Sequence, residues 1–405
     1  MNWITFAWRN LWRNPRRTIL TMLTVGVTAF AAAVALGYIL ATFNAVREGT
    51  ILGSVGHLQV LHRGYLDKIG ERPLQYGLTA DEGARAQRAI ASLHDVRSVA
   101  RQIDFEGLVS NGDLSYGFVG DGIEPDKQAP DYFDYHTVVA GRYIDPTKTG
   151  TEIVVGAELA RKLAIKPGDV ISLMVSTASG GINATDAQVV GIISTGVKDL
   201  DDRIVQTSFG AAQKLLRTDK ASRIVVLLNR TSSTEAAAAS LRGALPDLDV
   251  RTWDQIASLY HQLVSLYRNE FSVLGTILAV TILLSMANSI VMSVMERQRE
   301  ISTLRALGIS TGIVKFMFVN ESVFTSAIGA AVGACLGALV MGAVNYAHLR
   351  LPPPPGRVKP VLLEFALSVH ASVGIEIAFI VLGVLAAAFA TRRLLKRNIL
   401  EGFSA

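Results

Sequence analysis

Uncharged runs longer than about 20 residues, enough to cross a hydrocarbon core near ~30 Å thick, follow Arg17, Glu270 and Glu321. Together with a last apolar stretch they predict transmembrane helices at 18–43, 271–295, 313–346 and 371–391. The long segment 44–270 has a different rhythm. Alternating or β-branched runs predict strands at 56–62, 96–109, 152–155, 170–175, 187–193 and 223–228. Thr79 with Glu82 three residues later reads as a capping box that opens a helix through Leu93, and Thr234 opens Ala-rich turns that stop before Pro246. Strand, helix, strand therefore occurs early (56–109) and late (223–252), around a strand-rich middle at about 120–210 with turn signals at Lys166-Pro-Gly-Asp and Ser179-Gly-Gly. The expected fold is membrane α-helical, four transmembrane helices, with a large α/β periplasmic domain inserted between helices 1 and 2 and a β-rich subdomain inserted in that domain.

Composition sharpens this picture. Half of the residues are hydrophobic and 18% are charged, too few charges for a purely soluble protein of 405 residues. The charge is unevenly placed: residues outside 47–270 carry 15 of the 39 Lys and Arg but only 6 of the 34 Asp and Glu. The basic excess thus belongs to the membrane part and argues against nucleic acid as a partner. Arg9, Arg13, Arg16 and Arg17 precede the first span, Arg297, Arg299, Arg305 and Lys315 follow the second, and Arg392, Arg393, Lys396 and Arg397 follow the last. By the positive-inside rule the basic N-terminus (1–17), the connection 296–312 and the tail 392–405 are cytoplasmic. The first apolar run is too long for the core of a signal peptide. The loop 347–370, with Pro352 to Pro355 and Gly356, is then a periplasmic spacer of polyproline II character. A single cysteine, Cys335, excludes a disulfide framework and a Cys-based zinc site within one chain.

Three features carry candidate chemistry. Glu296-Arg-Gln-Arg-Glu-Ile-Ser-Thr-Leu-Arg-Ala-Leu-Gly-Ile, read as a helix, has an apolar stripe at Ile301, Leu304 and Leu307, donors at Arg297, Arg299 and Arg305, and a C-cap at Gly308. Such a helix seats in the groove of a partner protein; its plainer alternative is a basic turn held by anionic lipid. Gly329, Gly333 and Gly337 give one helix face without side-chain bulk, either a sliding or dimer-contact face or a packing face for another span of the same chain. Glu321 and Glu376 are carboxylates within spans, the first placed for a structural ion pair, the second near the outer interface. No catalytic, cofactor-binding or metal residues are expected. His57 and His62 lack the spacing of a zinc helix, Asp199-Leu-Asp-Asp lacks that of a calcium loop, and all are read as surface residues. The pattern G-x-x-x-x-G-K-[ST] is absent, so the chain has no ATP-binding nest of that type and reads as a non-enzymatic subunit.

The stretch from Met295 to Gly308, preceded by Ala287-Asn-Ser-Ile and followed by Glu321, resembles the permease domain shared by lipoprotein-releasing, macrolide-efflux and FtsX-type ABC transporters. The opening Ala7-Trp-Arg-Asn-Leu-Trp-Arg-Asn-Pro-Arg-Arg-Thr looks like the start of lipoprotein-releasing permeases, and Val139-Ala-Gly-Arg-Tyr, Glu152-Ile-Val-Val-Gly and Lys166-Pro-Gly-Asp like landmarks of the family's periplasmic domain. The resemblance implies a coupling helix at 296–309, with Glu296, Arg297, Arg299, Glu300, Leu304, Arg305 and Gly308 at the ATPase. It also implies two copies of that ATPase, which binds ATP and Mg, and a second permease protomer in a homo- or heterodimer of the bacterial inner membrane. Mechanotransmission to the periplasmic domains would extract a lipoprotein or lipid-like substrate along an apolar path between the first and second spans of opposing protomers, past Phe30, Val34 and Ile277, and deliver it to a periplasmic carrier. The same architecture also serves efflux through an adaptor and regulation of a cell-wall hydrolase.

Overall fold

The computed structural model describes residues 8–9, 11–13, 15–68, 73–145, 147–148, 150–352 and 361–394. Lys396, Arg397, Pro353 to Gly356 and Ala7, Asn10 and Asn14 of the opening motif lie outside them. The chain divides into two units: 1–44 with 263–350 and 362–405, and 45–262 with 351–361.

The first unit is built on helices Pro15–Thr50, Ser258–Glu296, Thr311–Ala347 and Val369–Leu394, each with an apolar window long enough to cross a membrane. The first starts at Pro15, where the missing N–H is not needed, and a π turn at Ile51–Val55 prolongs it to Gly56, whose φ of 68° stops it. The second helix begins about three turns before its apolar run, so the expected domain end at 270 falls inside a helix. Hydropathy finds the part of a helix that lies in lipid and misses a polar extension such as His261 to Glu270. Hydroxyls on these helices, among them Thr24, Thr28, Thr276 and Thr281, donate to the carbonyl four residues back, which satisfies them where water is absent. Val25 and Ala29, Ile282 and Met286, Ala330, and Phe379 and Ala386 form a core to which all four helices contribute.

The second unit holds, among the described residues, one ten-stranded sheet: β1 (Leu58–His62), β2 (Val96–Ser110), β3 (Ser115–Ile123), β4 (Thr137–Gly141), β5 (Glu152–Gly156), β6 (Val170–Ser176), β7 (Ile182–Ser194), β8 (Ile204–Ser208), β9 (Arg223–Leu228) and β10 (Leu248–Thr252). The order β10-β1-β9-β2-β3-β8-β5-β7-β4 is joined by β6, which pairs with both β2 and β7. Strands β2, β3, β8, β5, β7 and β6 therefore close a six-stranded ring, while β9, β1 and β10 extend from the other half of β2. The strand-rich middle is not a detached sheet: it joins the rest through β2, which pairs with both β3 and β9. Strand β3 escapes a sequence reading because its inward positions include Gly120 and Gly122, where a Cβ would meet the Phe105 ring and Ala212 at 2.4 Å. Helix Ala80–Ala91 opens with the Thr79–Glu82 capping box, and Ile90, Leu215 and Leu241 bring helices onto the sheet.

Two residues read as exposed are instead interior. His57 is 3% exposed; its Nδ1 accepts from the Leu228 amide at 3.1 Å and its Nε2 pairs with the Thr231 hydroxyl at 3.1 Å. Asp201 is fully buried and accepts from the Ser194 hydroxyl and from the amide and hydroxyl of Thr195, all within 2.7 Å. Each completes backbone or hydroxyl groups that the fold would otherwise bury without partners.

Candidate functional site

The second helix ends at Glu296, and a short helix, Gln298–Ala306, begins two residues later. Arg297 is the joint, with φ −105° and ψ 16°, and its carbonyl accepts the Ile301 amide at 2.9 Å. At the other end Gly308 takes φ 89°, its amide donates to Arg305, and the Ile309 amide donates to Leu304 at 3.1 Å. A left-handed residue there lets the chain reverse into the third helix.

The expected apolar stripe is divided. Ile301 is spent within the chain, against Val294, Val314 and Phe318, so it is not offered to a partner. Leu304 is half-buried and Leu307 is 76% exposed, on the outward side with Glu296, Arg299 and Glu300. The spacing gave the face; the neighbours that cover part of it come from the third helix. Glu300 itself is held by Arg13 through two contacts, 2.6 and 3.2 Å long. Arg13 counted only as a charge in the sequence, and no local pattern points across a separation of 287 positions.

Inside the bundle Arg297 pairs with Glu321 at 3.3 Å, both side chains less than 15% exposed. A cavity of about 30 Å³ at Glu321 is lined by Thr18, Thr21, Ser289, Ser293, Ser322 and Thr325 together with Met286, Ile290 and Phe318. Glu376 lies about two turns into the fourth helix and is half-buried. The three glycines pack on the first helix: a Cβ on Gly329 would lie 2.8 Å from the Met22 carbonyl oxygen, on Gly333 2.2 Å from that of Gly26, and on Gly337 3.2 Å from Ala33. Along the same seam an apolar groove of about 620 Å³ runs between the first and third helices, with Met22, Phe30, Val332 and Leu336 on its walls. Phe30 lines it, whereas Val34 and Ile277 do not; Ile277 is 57% exposed on the second helix. One chain does not bring these three together.

A family model described as a MacB-like periplasmic core domain matches residues 18–244, more than half of the chain, and one described as an FtsX-like permease C-terminal matches 272–399. The chain belongs to this family of ABC transporter permeases. The permease is similar to the lipoprotein-releasing system transmembrane protein LolC of Neisseria meningitidis, 23% identical over 345 residues that cover 81% of this chain and 78% of LolC. It is also similar to the pyoverdine export ATP-binding/permease protein PvdT of Pseudomonas syringae pv. syringae, 26% identical over 361 residues, covering 84% of this chain and 51% of PvdT. The permease thus spans about half of that relative's length. Among solved structures, the periplasmic region of MacB from Actinobacillus actinomycetemcomitans is 14% identical with a TM-score of 0.36, covering 52% of this chain and 94% of that one. In the permease, the domain between the first and second spans is the MacB-like periplasmic domain, and the FtsX-like match takes in the short helix and the Arg297–Glu321 pair.

Proposed function

We propose that this permease works with a separate ATPase, two copies to a permease dimer, and that ATP-driven motion of the short helix is passed to the periplasmic domain to draw a lipoprotein or lipid-like substrate from the outer leaflet. The observation that carries the reading is the short helix itself. Ile301 and the turn at Gly308 fix it to two spans, while Arg299, Glu300 and Leu307 face outward, a surface suited to an external subunit. Glu296, Leu304 and Arg305 flank that surface. With the basic clusters on the cytoplasmic side, ATPase and periplasmic domain stand on opposite faces of the inner membrane. The name of LolC supports the substrate class, and an apolar path past Phe30, Val34 and Ile277 accepts acyl chains without stranding a polar group. PvdT supports a second reading, export of a small molecule taken from the periplasm.

A photo-crosslinker at Phe30, Val34 and Ile277, with positions on the fourth helix as the control, separates the two. Lipidated protein captured at the first three sites, with ATPase present and nucleotide absent, is the expected result. Crosslinks confined to the periplasmic domain would favour export of a soluble molecule.

A further inference from the structure

The short helix meets the third helix at two places. One is covalent, through Gly308 to Ser310 into the helix start at Thr311. The other is Arg297, at the opposite end of the short helix, whose Nη1 donates to Glu321 Oε2 at 3.3 Å. Glu321 is ten residues into the third helix, about 15 Å along its axis. Ile301 fills the space between these attachments against Val314 and Phe318. A segment fixed at one end can roll about that end; one fixed at both carries its support with it. Both side chains are nearly covered, so parting them breaks an ion pair where little water can replace it. The surface pair Arg13–Glu300, with side chains about half exposed, is the softer contact by comparison.

We propose that Arg297 and Glu321 are positioning residues, a clasp that makes the third helix follow the short helix, so that displacement of the short helix moves the second and third spans together. This rests on the ATPase reading above. The Glu321 carboxylate then has a transmitting role in addition to neutralising a buried charge.

The native Cys335, exposed on the third helix and the single cysteine of the chain, is the reporter. A nitroxide placed there in the full-length permease, assembled with its ATPase in lipid nanodiscs, is read with and without ATP and vanadate. Removing both charges of the pair together, as R297Q/E321Q, keeps the net charge of the site unchanged; the exchange R297E/E321R restores a pair of opposite sense. The expected result is that R297Q/E321Q still co-purifies with the ATPase while the nucleotide-dependent change at Cys335 falls about tenfold, the scale of coupling between linked sites, and that R297E/E321R recovers it. A full nucleotide response in R297Q/E321Q would overturn the clasp. Loss of ATPase co-purification in that variant would overturn it too, since the pair would then serve docking. Failure of the unaltered permease to bind the ATPase would instead remove the ATPase reading, and the clasp with it.

Discussion

Asp121 stands opposite Asp104 in the β2–β3 register, and one of its oxygens, Oδ1, is sealed from solvent without a hydrogen-bond partner. Burial, and then the Asp104 charge, push its carboxyl up to about 7, against the opposing pull of Arg223 and a hydrogen bond from Gln206. Tyr132 and Tyr143, bridged by the Gln206 side chain, are raised by burial as well. His57 is shifted the other way: burial, with Arg47 and Arg97 adding to it and Asp95 opposing, lowers it to about 4. The signs follow from linkage. Folded Asp121 keeps its proton up to about 7 while the unfolded chain loses it near 3.8, so its contribution is full below 3.8 and is lost as pH rises to 7. Folded His57 stays neutral where the unfolded residue charges near 6.5, so its contribution is full above 6.5 and is lost as pH falls toward 4. Between pH 7 and 5 the two oppose each other. Asp121→Asn should therefore make the periplasmic domain more acid-sensitive in that window and His57→Gln less so. Hydrogen exchange of the β1, β3 and β9 amides in the full-length protein reads both; equal pH slopes in both variants would refute the assignment.

At the level of elements, the seam between the first and third helices depends on missing side chains. Gly333→Ala would put a methyl 2.2 Å from the Gly26 carbonyl oxygen, so the helices must part, at a cost of about 1–3 kcal/mol. Gly342→Ala on the same helix meets nothing within 4 Å and should be silent, which makes thermal unfolding in detergent a paired comparison. The short helix permits a similar contrast. Ile301→Ser removes a packed side chain and should lower stability, whereas Leu307→Ser, on an exposed position, should leave stability unchanged and weaken retention of the ATPase. Glu300→Lys adds a repulsion against Arg13 and should act on both. The short helix was legible as an amphipathic segment because 3.6-residue spacing reveals a face. It does not reveal what covers that face, and Val314 and Phe318, which cover Ile301, belong to another element. Glu321 was legible for the opposite reason: a carboxylate in an apolar run requires a partner, and Arg297 is one.

For the whole molecule, the membrane plan was written plainly in hydropathy, since lipid imposes length and apolarity on a span. The ring in the periplasmic domain was not. Strand β2 pairs with β9 more than 100 residues later, with β6, and with a β3 whose glycines blur its alternation, and no local signal encodes those partners. The ends of that domain impose a mechanical rule. The chain enters β1 at Leu58 and leaves β10 at Thr252, residues directly opposite each other in an antiparallel pair, and the Trp253 amide donates to the His57 carbonyl beside them at 3.0 Å. If the first and second spans drew these two ends apart, the ladder would unzip one rung at a time, the geometry in which hydrogen bonds resist least because each is loaded alone. If both ends were carried in the same direction, the rungs would bear no opening load. A domain tied in this way tolerates sideways load and yields to spreading first at the β1–β10 rung of Leu58 and Thr252.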